Sequence, residues 1–333
     1  MSARRRVIAL VAVAAVAAAA GAAAIAWVGR GPTESGEAAS PAAPGSFRDG
    51  FPPLALDPFL EDEAEAQALL DAEELYETGR RPEALRRFER ILGDDPDSLE
   101  AAVGAALARW PDGTLAALRE LAGGHPESGL VQLHVGFALF WQRNTAAATA
   151  AWRKVEQVEP DSPAAIRAEN VLHPDMPQGR PIFVPTGRLP AEIATLSPVR
   201  QLTELERLAE QSDEAEDWIV YGVALQRAGR PVSARAAYER GVAVDPTSVE
   251  AKAAAALVRF DKDDPAQAFS RLGPLSRDYP KAAVVRFHLG LSLLWLAEVG
   301  EARRQLTLAR DEDEDGIYGR EAADLLERLA EVG

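Results

Sequence analysis

The sequence predicts an all-α protein: a solenoid of about six to seven helix pairs behind an N-terminal transmembrane helix. Three observations predict it. A proline-containing turn recurs along the chain, small and large residues recur in phase between those prolines, and a long apolar run follows an arginine cluster at the N-terminus.

The apolar run comes first. Arg4, Arg5 and Arg6 precede 22 uninterrupted apolar residues from Val7 to Val28. At 1.5 Å per residue these span roughly 33 Å, enough for the hydrocarbon core. Trp27 suits the far interface, and the arginines place the N-terminus in the cytoplasm. Residues 1–28 therefore read as a single-pass anchor in the cell membrane, through residues 7–28, with the C-terminal body extracytoplasmic. Twelve of the 22 residues are alanine, so a cleaved signal peptide and a secreted body is the rival reading. Residues 29–60, rich in Gly, Pro, Ser, Ala and Glu, read as a flexible linker.

Helical periodicity begins at Glu61. An acid-proline element marks the junctions: Asp95-Pro96, Glu159-Pro160 and Asp245-Pro246, with His125-Pro126 and Tyr279-Pro280 in equivalent places. The prolines are spaced by 30, 34, 86 and 34 residues. Between them, Trp218, Tyr221, Gly222, Leu225, Gly229, Ala234, Tyr238 and Pro246 make the best copy of a repeat. Gly136, Leu139, Ala148, Trp152, Val155 and Pro160 make a second, and Leu289, Gly290, Leu293, Ala302, Leu306 and Ala309 a third. Copies at Gly79–Ala84–Phe88–Pro96 and Ala256–Ala268–Leu272–Pro280 are clear only in their second helices. Small residues at these places let paired helices approach, large ones fill the space beside them, and proline ends the second helix.

These residues resemble the tetratricopeptide repeat, whose period is about 34 residues. The resemblance implies a right-handed superhelix whose first helices line a concave groove that binds a protein or peptide partner. The sequence also duplicates at a higher level. Val131–Trp141 aligns with Val285–Trp295 at an offset of 154, and Gly79–Pro96 with Gly229–Pro246 at 150. The body thus divides into repeats 1–3 plus a closing helix (61–172), a Pro-rich insertion (173–197), and repeats 4–6 plus a closing helix (198–333). A helix at Pro198–Gln211 completes an interrupted seventh repeat. The insertion carries Pro174, Pro177, Pro181, Pro185 and Pro190 around apolar Ile182-Phe183-Val184. A loop of this length in a solenoid has a role: it either folds into the groove as a built-in ligand or covers an apolar seam between halves. The second is preferred, because a bare apolar patch is a liability.

Mapped onto the resemblance, His134, Phe137 and Trp141, and equally His288, Leu291 and Trp295, fall along one face of a first helix. They are the candidate partner-binding residues, able to stack on side chains and donate hydrogen bonds. The competing reading is that they are core. Asp311-Glu-Asp313-Glu-Asp315-Gly316 opens like a Ca²⁺ loop, but Ala322 stands where Glu is required. Asp311, Asp313 and Asp315 are thus a weak Ca²⁺ candidate inside what reads as a solvated turn. No catalytic residue, other metal site or cofactor is expected: His125 and His173 sit beside prolines in turns, and no nucleophile–base pair or phosphate loop can be read.

Charge narrows the partners. Beyond residue 30 the chain carries 52 acidic residues and a strong negative net charge, which opposes nucleic acid. The absence of cysteine excludes disulfides and thiolate chemistry. The expected function is a non-enzymatic, membrane-tethered scaffold or adaptor facing the extracytoplasmic side. Assembly of an envelope complex and cytochrome c maturation are contexts that the family resemblance implies. Self-association into a structural oligomer is the alternative.

Overall fold

The structure, a computed structural model, describes residues 48–56 and 62–332. Among the described residues sixteen helices form and no strand does. They fall into two compact units, the first ending at Leu172 and the second beginning at His173.

In the first unit an extended segment, residues 48–56, precedes three helix pairs: α1 (Glu63–Glu77) with α2 (Arg81–Asp94), α3 (Leu99–Ala108) with α4 (Thr114–Gly124), and α5 (Gly129–Trp141) with α6 (Thr145–Val158). α7 (Pro163–Leu172) closes the unit against α6. In the second unit an extended segment around Pro181–Pro185 leads to α8 (Ala191–Ala194) and α9 (Pro198–Gln211). Three pairs follow: α10 (Ala215–Arg227) with α11 (Pro231–Val244), α12 (Val249–Leu257) with α13 (Ala266–Asp278), and α14 (Ala283–Trp295) with α15 (Val299–Glu312). α16 (Ile317–Val332) closes that unit.

The recurring prolines do the same work at four of the five junctions, and at Glu159-Pro160 the Ser162 hydroxyl donates to Glu159 O at 2.8 Å instead. The carbonyl before the proline accepts from the N–H three residues on: Ser98 to Asp95 at 3.3 Å, Ser128 to His125 at 3.1 Å, Ser248 to Asp245 at 3.2 Å and Ala282 to Tyr279 at 3.0 Å. Proline supplies a fixed φ and needs no donor there. Where the leading residue is aspartate, its side chain also accepts from the residue after proline, Asp97 N at 3.1 Å and Thr247 N at 2.8 Å. Ser128 and Ser248 then cap α5 and α12, accepting from Val131 N and Ala251 N.

Close approach of paired helices follows from the small residues. A Cβ built at Gly136 would lie 2.2 Å from Trp152 Nε1, and one at Gly222 2.4 Å from Tyr238 Cε1. At Gly290 the nearest atom, Leu306 Cγ, would be 2.9 Å away. Each glycine therefore seats the large residue of its partner helix.

One expectation changes here. The linker read over 29–60 is ordered where the structure describes it: Leu54 and Leu56 are buried. Alternate residues of this extended stretch enter the core, which its composition does not reveal. The proposed anchor at 7–28 and most of that linker lie outside the described residues. Among the described residues no helix is long and apolar enough to cross a membrane.

Candidate functional site

In each unit the first helices of the pairs, together with the closing helix, form a trough, and an extended segment of the same unit lies in it. The two segments use one register. Tyr76 of α1 donates its hydroxyl to Pro52 O at 2.5 Å, and Gln226 of α10, its counterpart 150 residues on, donates Nε2 to Pro181 O at 3.4 Å. Three residues further, Ala55 N–H donates to His134 Nε2 at 3.1 Å and Val184 N–H to His288 Nε2 at 2.9 Å. Each closing helix sends a donor to the strap's end: Arg167 Nη1 to Leu56 O at 3.3 Å, and the Tyr318 hydroxyl to Val184 O at 3.2 Å. Gly50 and Gly179, at matching places upstream, both turn the strap at positive φ (81° and 74°).

Mostly side chains hold the straps, and they hold backbone. Phe183 N–H donates to Gln226 Oε1 at 3.1 Å, and Thr186 N–H to Glu250 Oε1 at 2.7 Å. Lys262, buried, donates to Pro177 O at 2.7 Å. In the first unit Leu56 N–H donates to Glu73 Oε1 at 3.1 Å, and Arg48 N–H donates to Trp141 O at 2.8 Å. Side-chain identity enters through stacking: the Phe183 ring lies 4.1 Å from that of His288 at 9°, and the Arg48 guanidinium lies 3.7 Å over Phe140.

The two histidines are fully buried and tautomerically fixed. Nδ1–H donates to the carbonyl one turn back, Leu130 O or Val284 O, at 2.7 Å in each case, leaving Nε2 as acceptor. Burial is the main cause that lowers the pKa of His134 to about 4 and of His288 to about 3. Arg167 adds to the shift of His134. Burial likewise raises Glu73 to about 6.

The six candidate partner-binding residues sit on or beneath this trough. Phe137 packs edge-on against both His134 and Trp152. Leu291 and Trp295 are buried, and the Trp295 indole N–H donates to Gly179 O at 3.4 Å. Trp141 is half-buried, and among the described residues its indole N–H has no acceptor. The expectation of a patch displayed to a partner is corrected in one respect: the chain's own straps already cover it. Of the two roles read for the insertion, the preferred seam cover gives way to the other: Phe183 and Val184 lie on α10 and α14 and join the core of the second unit.

The acidic turn has local work. Asp313 Oδ2 accepts from Tyr318 N at 3.0 Å and Gly319 N at 3.3 Å, capping α16, while Asp311 pairs with Arg310 at 2.7 Å. Among the described residues no group of three or more acidic or histidine side chains is placed to hold a metal. His173 is not left to solvent, as its turn position suggests; Nε2 lies 3.0 Å from Asp263 Oδ1. Sequence reasoning missed Gln226, Glu73, Glu250 and Tyr318, which grip the straps.

No protein-family description matches the chain, and no curated protein matches it. Several solved structures are similar. A tetratricopeptide repeat protein from Parabacteroides merdae is 11% identical, with 80% of this chain and 99% of that one covered and a TM-score of 0.33. The TPR2AB domain of yeast Sti1, solved in complex with pHSP90, is 12% identical over 80% of this chain and 99% of that one, TM-score 0.29. Yeast Tom70 is 14% identical over 86% of this chain and 57% of that one, TM-score 0.31. The helix-pair architecture stands on the packing of its own residues, not on these likenesses.

Proposed function

We propose that the chain is a non-enzymatic protein-interaction scaffold whose first-helix troughs take extended polypeptide. One observation carries the reading: in both units the trough holds an extended segment through side-chain bonds to backbone, a grip that depends little on the segment's sequence. His134, Phe137 and Trp141 in the first unit, and His288, Leu291 and Trp295 in the second, form the floor that a partner would meet when it replaces a resident strap. The acidic body favours partners with basic flanks. Tethering through residues 7–28, an extracytoplasmic body and a part in envelope-complex assembly complete the proposal and rest on the sequence.

The test is a crosslinking pulldown from membranes with the full chain and with Phe183→Ala, which loosens the second strap without touching the trough. Greater recovery of a protein partner with the variant supports the trough as the site. Equal recovery, with crosslinks mapping away from α10, α12 and α14, overturns it.

A further inference from the structure

The two units carry the same strap device, and one of the differences between them leaves space. In the second unit Tyr318, on the first turn of α16, reaches onto the strap. Its ring meets His288 edge-on at 5.7 Å, and its hydroxyl lies 3.2 Å from both Val184 O and Glu250 Oε1. The counterpart in the first unit, 154 residues earlier on the first turn of α7, is Ala164. The surroundings keep register: Ala55 stands for Val184, Glu100 for Glu250 and Leu130 for Val284. The ring is missing, and a cavity of about 210 Å³ opens there, lined by Ala55, Leu56, Glu100, Leu130, Ala164 and Arg167 among others. A cavity of about 150 Å³ already admits benzene, so a phenol fits.

We propose that this cavity receives a tyrosine side chain presented by a protein partner, seated as Tyr318 is seated in the other unit. The inference rests on the scaffold reading above. The chemistry selects tyrosine over its neighbours. A buried phenol needs a partner for its hydroxyl, and Glu100 stands where Glu250 accepts from Tyr318. A phenylalanine would desolvate Glu100 and Arg167 without serving either. An anionic side chain would meet Glu100, Glu127 and Glu159, which all line the cavity.

The probe is p-cresol, the tyrosine side-chain analogue, titrated into the full chain and followed by amide shifts of Leu56, Glu100 and Arg167. The expected result is saturable binding at least tenfold tighter than toluene or n-butylamine, lost in Ala164→Tyr. Ala164→Leu, a smaller filler, serves if the tyrosine variant does not fold, and should also abolish binding. Absence of saturable p-cresol binding overturns the proposal, as does equal or tighter binding of toluene or n-butylamine. Phe59 follows Leu56 in the sequence, outside the described residues, and tenfold tighter p-cresol binding in Phe59→Ala would assign the cavity to it and overturn the proposal too. Because p-cresol needs no partner, p-cresol binding without any captured protein would sink the scaffold reading and leave the phenol site standing. Partner capture without p-cresol binding would do the reverse.

Discussion

His288 Nε2 accepts the backbone N–H of Val184 at 2.9 Å, inside a core where neither group meets water. His288→Leu fills similar space but leaves that N–H unpaired, at a cost of about 1–3 kcal/mol, with loss of the Phe183 stack adding about 1 kcal/mol. The denaturation midpoint followed through Trp295 and Trp218 should fall accordingly. The Val184 amide should also lose its hydrogen-exchange protection more than amides of α11 do. A uniform loss across the unit would mean that the histidine is mere filler.

Burial of the same ring makes the second unit acid-sensitive. The His288 pKa lies near 3 folded against an ordinary 6.5, so the unfolded chain binds the extra proton between those values. Stability is then full above about 6.5 and falls with pH, by about 1.4 kcal/mol per unit. The first unit behaves differently. His134 has the same sign, with its pKa near 4, but Glu73 is raised from 4.5 to about 6. Glu73 holds its proton in the folded state through that window and so gains stability as pH falls from 6 to 4.5, offsetting His134. Amide exchange between pH 6.5 and 4.5 should show the second unit loosening first. In His288→Leu the difference from wild type should shrink as pH drops.

The helix pairs were legible because their packing rules act locally. Gly136 with Trp152 and Gly222 with Tyr238 sit at fixed sequence distances, and each proline turn closes within four residues. The helix read at Pro198–Gln211 forms over those residues. The second strap was legible only as one of two roles for the insertion, and the first reads as linker. Gly50-x-Pro52-x-Leu54-Ala55 and Gly179-x-Pro181-x-Phe183-Val184 match each other, but at an offset of 129, whereas their histidines are 154 apart. The 25-residue difference is taken up by α8, α9 and their loops, which follow the second strap only. Short extended segments also carry no periodicity of their own; their side-chain partners lie 79 and 104 residues away. A contact made of backbone N–H and a distant imidazole leaves no local pattern to read.

Glycine at the helix crossing is a steric requirement, not a matter of backbone freedom. Gly136→Ala would set a methyl group 2.2 Å from the Trp152 indole, forcing the ring out of place at a cost of about 1–3 kcal/mol. Gly123, inside α4, has nothing within 4 Å of a built Cβ. Gly123→Ala should therefore stabilise by up to about 1 kcal/mol through helix propensity. Opposite shifts of the two midpoints in urea are the expected result, and matching signs would refute the crossing argument.

Four helix-pair turns share one hydrogen-bond pattern, and two of them place an L residue where glycine is suited. At Gly79 and Gly229 φ is +80° and +71°; at Arg143 and Ala297 it is +60° and +58°. Each closes its helix in the same way, with Gly229 N–H reaching Gln226 O at 3.1 Å and Ala297 N–H reaching Leu294 O at 3.0 Å. A left-handed residue with a Cβ costs about 1–2 kcal/mol. Glycine removes that strain but frees the unfolded chain by about 0.4–1 kcal/mol. Ala297→Gly should thus gain about 0.5–1 kcal/mol, and Gly229→Ala should lose a similar amount. Denaturant unfolding with an unchanged slope reads both. If Ala297→Gly lowered the midpoint, the turn would be held by packing of the alanine methyl group, and its positive φ would carry no strain.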